Sequence, residues 1–220
     1  MPALRLGSGT IDVALHDAIG KDGSEQRYIV HLGLASEAVS GVLPKQEVRV
    51  HHVAPPAEEG SMAVDVVGSA ELTFEDAMMI QDFLNRHLLE VQAEAMRDRY
   101  SRYVLCPHMA RVFGDDGEVI YVRFNCAGFV VEAYKEAGIV LVNTDALPRI
   151  ERARLAVAYG IVGSPRFDKL NRRYCWGLDD REDRWPVLMP GYVLHAFDRT
   201  CEEIRSAPYR PQLGDELFPR

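Results

Sequence analysis

The residues best suited to chemistry are Asn125 and Cys126, where an apolar run ends and a helical pattern begins. Asparagine is a favoured N-cap because its side chain accepts a hydrogen bond from a free N–H of the first turn. Cys126 then takes the first helical position, where free N–H groups and the helix dipole favour an anion. We expect its thiol to ionise more readily than a free cysteine and to act as a nucleophile. The alternative is a small, inert core residue, since free cysteine is often buried.

A cysteine nucleophile needs a base within hydrogen-bond reach and a third group that orients the base. His31 is the favoured base, because Gly33 lies on the same face of its predicted strand and leaves room for close packing. His52 continues the apolar face of the next predicted strand and is the candidate orienting group, whereas His51 is expected to face solvent. His195 lies in another apolar run that reads as a strand, and it is the main competitor to His31. The candidate histidines are His31, His52, His108 and His195.

The sequence predicts no cofactor and no metal. Cys106-Pro107-His108 is too short and isolated a cluster, because zinc normally takes three or four protein ligands. The four cysteines form no CxxC pair and no disulfide framework, which favours a reducing, cytoplasmic setting. The first residues contain no apolar core of a signal peptide, and no apolar stretch is long enough for a membrane helix.

The composition is typical of a globular protein with an excess of acidic over basic residues. The chain has 220 residues, a net charge of −8 and a pI of about 5.4. Nucleic acid is therefore an unfavourable main partner, because phosphate binding needs a basic surface. Residues 149–173 are locally basic, and we interpret them as a solvated face or as a site for an acidic group. Oligomeric state is left open by the sequence.

Apolar periodicity predicts an alternation of strands and helices. Strands are expected at about residues 10–17, 26–35, 47–56 and 62–67, and a hairpin at 109–113 and 119–124. Helices are expected at about residues 74–97, 126–137 and 149–159, the second ending at Gly138. No linker or internal repeat divides the chain.

Three stretches resemble one enzyme superfamily. Asn125-Cys126-Ala127-Gly128-Phe129-Val130 is similar to the nucleophile helix of the NlpC-type, papain-like cysteine peptidases. His31-Leu32-Gly33-Leu34-Ala35 and His52-Val53-Ala54-Pro55-Pro56 resemble the two histidine motifs of its circularly permuted branch, which includes the lecithin:retinol acyltransferase-like proteins. The order histidine, histidine, cysteine is that of the permuted branch. Ala127 departs from the family, which has a polar residue after the cysteine.

The resemblance implies an α+β fold, papain-like and permuted, in which an antiparallel sheet carries the packed nucleophile helix. Residues 1–220 would form one domain, with 143–220 as a C-terminal extension of uncertain fold. Cys126, His31 and His52 would catalyse acyl transfer, as an amidase, peptidase or acyltransferase acting on a peptide, amide or acyl substrate. The alternatives are a non-catalytic module that binds a peptide or acyl ligand, and a domain that engages an acidic partner through residues 149–173.

Overall fold

A computed structural model gives the α+β architecture of the chain. It describes residues 13–19, 27–35, 46–53, 57–64, 66–68, 70, 72–95, 103–151, 153–155, 177 and 182–216. The candidate site lies within these ranges, apart from the side chains of His31 and His52, which lie outside the described part.

Five strands form one antiparallel sheet, which confirms the expected sheet type. Their order across the sheet is β4-β3-β2-β1-β5, so the first four strands follow one another as a meander. Between β2 and β3, Gly33 pairs with His52 and Leu34 pairs with His51. The strands are β1 (Val13–Ile19), β2 (Arg27–Ala35), β3 (Gln46–Val53), β4 (Ala57–Val64) and β5 (Val66–Gly68).

Helix α1 (Phe74–Ala95) begins where the sequence places its cap. The Thr73 hydroxyl accepts from the Asp76 N–H at 3.1 Å, and the Asp76 carboxylate accepts from the Thr73 N–H at 2.9 Å. This reciprocal pair satisfies two N–H groups that the first turn would otherwise leave free. Ile80, Phe83 and Leu84 are buried and form the face of α1 that joins the core.

A hairpin leads directly into the helix that begins at Cys126. Strands β6 (Met109–Phe113) and β7 (Val119–Phe124) pair antiparallel, with the bounds that the sequence predicts. Helix α2 (Cys126–Glu136) follows after Asn125 alone. It ends before Gly138, whose φ of 74° suits glycine, and the Ile139 N–H donates to the Tyr134 carbonyl at 3.0 Å.

The C-terminal part differs from the sequence prediction in two places. Residues 150 and 151 form a short strand instead of the start of a helix. Residues 153–155 are helical, as predicted, and residues 156–159 of that predicted helix lie outside the described part. The apolar run around His195 is a helix, not a strand. The elements are a 3-10 turn (Thr144–Ala146), β8 (Ile150–Glu151), β9 (Arg184–Trp185), α3 (Pro190–Phe197) and α4 (Cys201–Ser206).

Helix α3 begins at Pro190, and nearly all of it is buried. Proline is tolerated at the first helical position, where its missing N–H costs nothing. Almost every residue of α3 is buried, so the helix has no polar face and its sequence lacks a helical period.

The C-terminal elements share the core of α2 and the sheet. Tyr192 and Val193 of α3 are fully buried in the same hydrophobic cluster as Phe129 and Leu32. Backbone hydrogen bonds between Leu141, Asn143 and Tyr209 join the segment after α2 to the C-terminal segment. Among the helices of the described ranges, none has the length and apolar character needed to cross a bilayer.

Candidate active site at the start of helix α2

Asn125 is the buried residue that fixes the start of α2. Its side-chain oxygen accepts from the Gly128 N–H at 2.6 Å, as expected for an N-cap. Its side-chain amide donates to the carbonyls of Leu105, at 2.9 Å, and Leu188, at 3.3 Å. The side chain has no exposed surface. One asparagine therefore caps the helix and holds two distant segments against its first turn.

Gly128 allows the chain before β6 to approach the same turn. A Cβ atom at position 128 would lie 2.1 Å from the carbonyl oxygen of His108, far inside van der Waals contact. The His108 carbonyl also accepts from the Asn125 N–H at 3.1 Å. Packing alone therefore explains why position 128 is a glycine, whether or not the chain is an enzyme.

The Cys126 thiol lies at the helix start, as the sequence predicts, but it does not ionise readily. Cys126 is 2% exposed, and burial raises the pKa of its thiol to about 11. The N–H groups of Leu32, Ala127 and Cys126 itself are directed at the sulfur and oppose this shift. Burial disfavours the thiolate more strongly than the helix start favours it. The expectation of an unusually acidic thiol is therefore wrong.

The contact with Leu32 brings strand β2 to the sulfur. Leu32 follows His31 in the chain, so the backbone of the predicted base strand touches the predicted nucleophile. His52 lies opposite Gly33 in β3, so His31 and His52 occupy diagonal positions of the β2–β3 ladder. Diagonal positions of an antiparallel ladder lie roughly 7–8 Å apart.

The expectation that His51 faces solvent is wrong. It is 8% exposed, and its register partner Leu34 is fully buried. Val53, two residues further along the same strand, is also buried. The face of β3 that carries His51 and Val53 therefore joins the core.

His195 and His108 have other neighbours. The ring of His195 stacks on Tyr209, with centroids 5.9 Å apart and planes 9° from parallel. His108 Nε2 lies 3.2 Å from a carboxylate oxygen of Glu132. Each ring therefore contacts a side chain other than the Cys126 thiol, Tyr209 for His195 and Glu132 for His108.

The sequence does not predict the contact between His108 and Glu132. Burial of Glu132 alone would raise its pKa, but the His108 hydrogen bond and the charge of Lys135 outweigh burial and lower it. The two residues are 24 positions apart, and no local pattern links them. The helical period could have placed Glu132 and Lys135 side by side, but only the fold adds His108.

The basic segment at residues 149–173 is partly engaged within the chain. Arg149 pairs with Glu182, and Arg154 pairs with the buried carboxylate of Glu216 at 2.5 Å. Residues 156–173 of the segment lie outside the described part. In the ranges that the structure covers, no group of three histidine, cysteine, aspartate or glutamate residues is arranged to hold a metal ion.

No protein-family model, no curated protein and no solved structure gives a significant match to this chain.

Proposed function

We propose that this chain is a thiol-dependent acyl-transfer enzyme, an amidase, peptidase or acyltransferase, built on a permuted papain-like fold. Cys126 is the nucleophile, His31 the base and His52 the group that orients His31. The observation that carries the proposal is the N–H of Leu32 directed at the Cys126 sulfur. This contact joins the start of the nucleophile helix to the strand of His31, as a cysteine–histidine site requires.

The raised pKa of Cys126 defines the first step of the proposed mechanism. The thiol is neutral at rest, so His31 takes its proton while the sulfur attacks the carbonyl carbon. A carbon–sulfur bond forms, and the carbonyl oxygen becomes an oxyanion. The N–H of Cys126, which is directed at the sulfur at rest, then donates to that oxyanion in place of the sulfur.

The second half of the cycle returns the enzyme to its starting state. The bond between the carbonyl carbon and the leaving nitrogen or oxygen breaks, and His31 gives its proton to the leaving group. Water, an amine or an alcohol then attacks the thioester carbon while His31 takes a proton from it. The carbon–sulfur bond breaks, and His31 gives that proton to the sulfur, which leaves Cys126 as a thiol. Water makes the enzyme a hydrolase, and the other acceptors make it a transferase.

An activated ester tests the nucleophile without knowledge of the natural substrate. We expect p-nitrophenyl acetate to acetylate Cys126, detected by peptide mass spectrometry, and to release p-nitrophenolate in a burst. Cys126→Ala should abolish the burst, and His31→Ala should slow acetylation about a hundredfold, within the usual range for a catalytic base.

Matched variants decide which histidine acts. The acetylation rate should stay within about threefold of the parent rate in His195→Ala and in His51→Ala. The rate of His52→Ala should lie between the rates of these two variants and the rate of His31→Ala. Cys201→Ala removes a partly exposed cysteine outside any disulfide, whose thiol would otherwise compete for the ester. Acetylation confined to Cys201, or unchanged in His31→Ala, would overturn the proposal.

The burial of Cys126 favours a second candidate function, a non-catalytic module that binds a peptide or acyl ligand. A thiol that is 2% exposed can serve as core packing alone. In that case Cys126→Ala would keep ligand binding, measured by thermal stabilisation with peptide and acyl-amide compounds, and the activated ester would leave Cys126 unmodified. A burst that depends on Cys126 would exclude this candidate.

A further inference from the structure

A pocket lies beside the second half of α2, among residues that the proposed acyl-transfer site does not use. Its volume is about 290 Å³, at the small end of the range for ligand pockets. One wall comes from Val131, Glu132 and Lys135 of α2, and the rest from residues 140–145 and Pro208. Such a volume suits a ligand the size of one long amino-acid side chain.

Backbone hydrogen bonds hold the walls of this pocket together. The Tyr209 N–H donates to the Leu141 carbonyl at 2.9 Å, and the Asn143 N–H donates to the Tyr209 carbonyl at 2.8 Å. The Asn143 side chain accepts from the Asp145 N–H at 3.1 Å and fixes the turn that carries Asp145. The pocket is therefore formed before any ligand arrives, which reduces the ordering cost of binding.

Glu132 gives the pocket an oriented negative charge. Its side chain is 13% exposed, and His108 holds the carboxylate at 3.2 Å from a position outside the pocket lining. Asp145 adds a second carboxylate to the lining. Aliphatic surface from Val140, Leu141 and Pro208 lies in the same pocket, so the lining combines negative charge with apolar contact.

Lys135 indicates which ligand charge this carboxylate accepts. Its ammonium nitrogen lies 3.3 Å from a Glu132 oxygen, while its side chain remains 55% exposed. The lysine end of this ion pair is solvated, so a ligand ammonium that gains apolar contact can displace it. The lysine of the chain thus occupies the position that an external cation would take.

We propose that this pocket binds the cationic end of an alkylammonium or alkylguanidinium ligand, with Glu132 and Asp145 facing the charge and residues 140–142 and Pro208 contacting the alkyl chain. The chemistry is that of a lysine or arginine side chain or of a free aliphatic amine. The site is independent of Cys126, so Cys126→Ala should leave it unchanged.

Protein-observed NMR titration of the full chain tests the proposal with paired probes. N-acetyl-lysine methylamide should shift resonances of the pocket residues, and N-acetyl-norleucine methylamide, which lacks the charge, should bind at least about tenfold more weakly. Butylamine tests the source of the cation. Equal affinity for butylamine identifies a free amine, and weaker affinity identifies a side chain of a peptide; both results support the site.

Four variants separate this site from general electrostatics. Glu132→Gln should lower the affinity for the lysine probe about tenfold, and Asp145→Asn should lower it about threefold. Glu136→Gln removes the same charge four residues further along α2, outside the pocket lining, and should leave affinity unchanged. Lys135→Met removes the competing ammonium and should strengthen binding about threefold.

Three results would overturn the proposal. The norleucine probe could bind as tightly as the lysine probe, which would leave no role for the charge. Glu136→Gln could weaken binding as much as Glu132→Gln, which would leave only the net charge of the surface. Lys135→Met could weaken binding of the lysine probe, which would show that the pocket selects another kind of ligand.

Discussion

Alkylation of Cys126 by iodoacetamide should follow an apparent pKa near 11, in place of the 9.0 of an unperturbed thiol. Only the thiolate reacts, and at pH 7 the thiolate fraction falls from about 1 in 100 to about 1 in 10,000. A more basic thiolate is intrinsically more nucleophilic, which recovers roughly tenfold of this loss. The net expectation at pH 7 is a rate about tenfold below that of a free thiol, before any steric effect of burial.

The measurement needs a chain in which Cys126 is the sole thiol. Cys106→Ala, Cys175→Ala and Cys201→Ala together provide it, and peptide mass spectrometry at a series of pH values gives the rate. The pH at which the rate levels off is more informative than its absolute size, because steric protection scales the whole curve without moving it. An apparent pKa at or below 9.0, the value of the unperturbed thiol, would refute the reasoning that burial controls this thiol.

The same shift has a consequence for stability. The folded pKa of Cys126 lies above the unfolded value, so the folded chain keeps this proton to higher pH than the unfolded chain does. The associated stability is fully present below about pH 9 and is lost as pH rises through about 11, by roughly 3 kcal/mol. Cys126→Ala should remove this part of the alkaline loss in denaturant unfolding. Parallel curves for the parent and the variant between pH 9 and 11 would contradict the assignment.

Further predictions concern the first turn of α2 and its neighbours. Gly128→Ala should lower the free energy of unfolding by about 3 kcal/mol, because its methyl group meets a backbone carbonyl, whereas Gly138→Ala, at a positive φ in open space, should cost about 1 kcal/mol. Equal costs in urea unfolding would contradict this packing. Asn125→Ala should cost about 2–4 kcal/mol, because it removes a cap and two buried bonds, and Asn143→Ala, at an exposed cap, less than about 1 kcal/mol. A thermal-unfolding series that ranks them in reverse would rule this out. Glu132 has a lowered pKa, so its stabilising contribution is present above its unfolded pKa of about 4.5 and is lost as pH falls through the folded value. Acid unfolding of Glu132→Gln should therefore be less steep than that of the parent, and identical profiles would count against the assignment.

The elements around the site follow from local sequence signals. Alternation fixes β2 and β3, the Gly-containing turn fixes the hairpin of β6 and β7, and Asn125 fixes the start of α2. Each of these signals acts within a few residues, so the sequence contains all the information needed. Helix α3 lacks such a signal, because a helix that is buried on all sides has no polar face to reveal its period.

The environment of the site depends on contacts that the sequence does not contain. Alternation assigns His51 to one face of β3, but whether that face meets solvent is decided by distant segments. The helix start favours a Cys126 thiolate, but burial of the thiol in the folded chain reverses the balance. Likewise, Glu132 and His108 meet only because the chain before β6 returns to α2. In each case a long-range contact decides the outcome that a local signal leaves open.

A neutral, buried Cys126 changes which measurement can recognise catalysis. A resting thiolate would react quickly with any small electrophile, but a thiol that loses its proton only during attack reacts quickly only when a base and a bound carbonyl are both in place. Slow alkylation is therefore compatible with the proposed enzyme, and it is equally expected for an inert core residue. The two differ in the ratio of acetylation to alkylation. An enzyme should give a high ratio that falls in His31→Ala, because removal of the base slows acetylation while alkylation still depends on the intrinsic pKa. A core cysteine should give a low ratio that the histidine does not change.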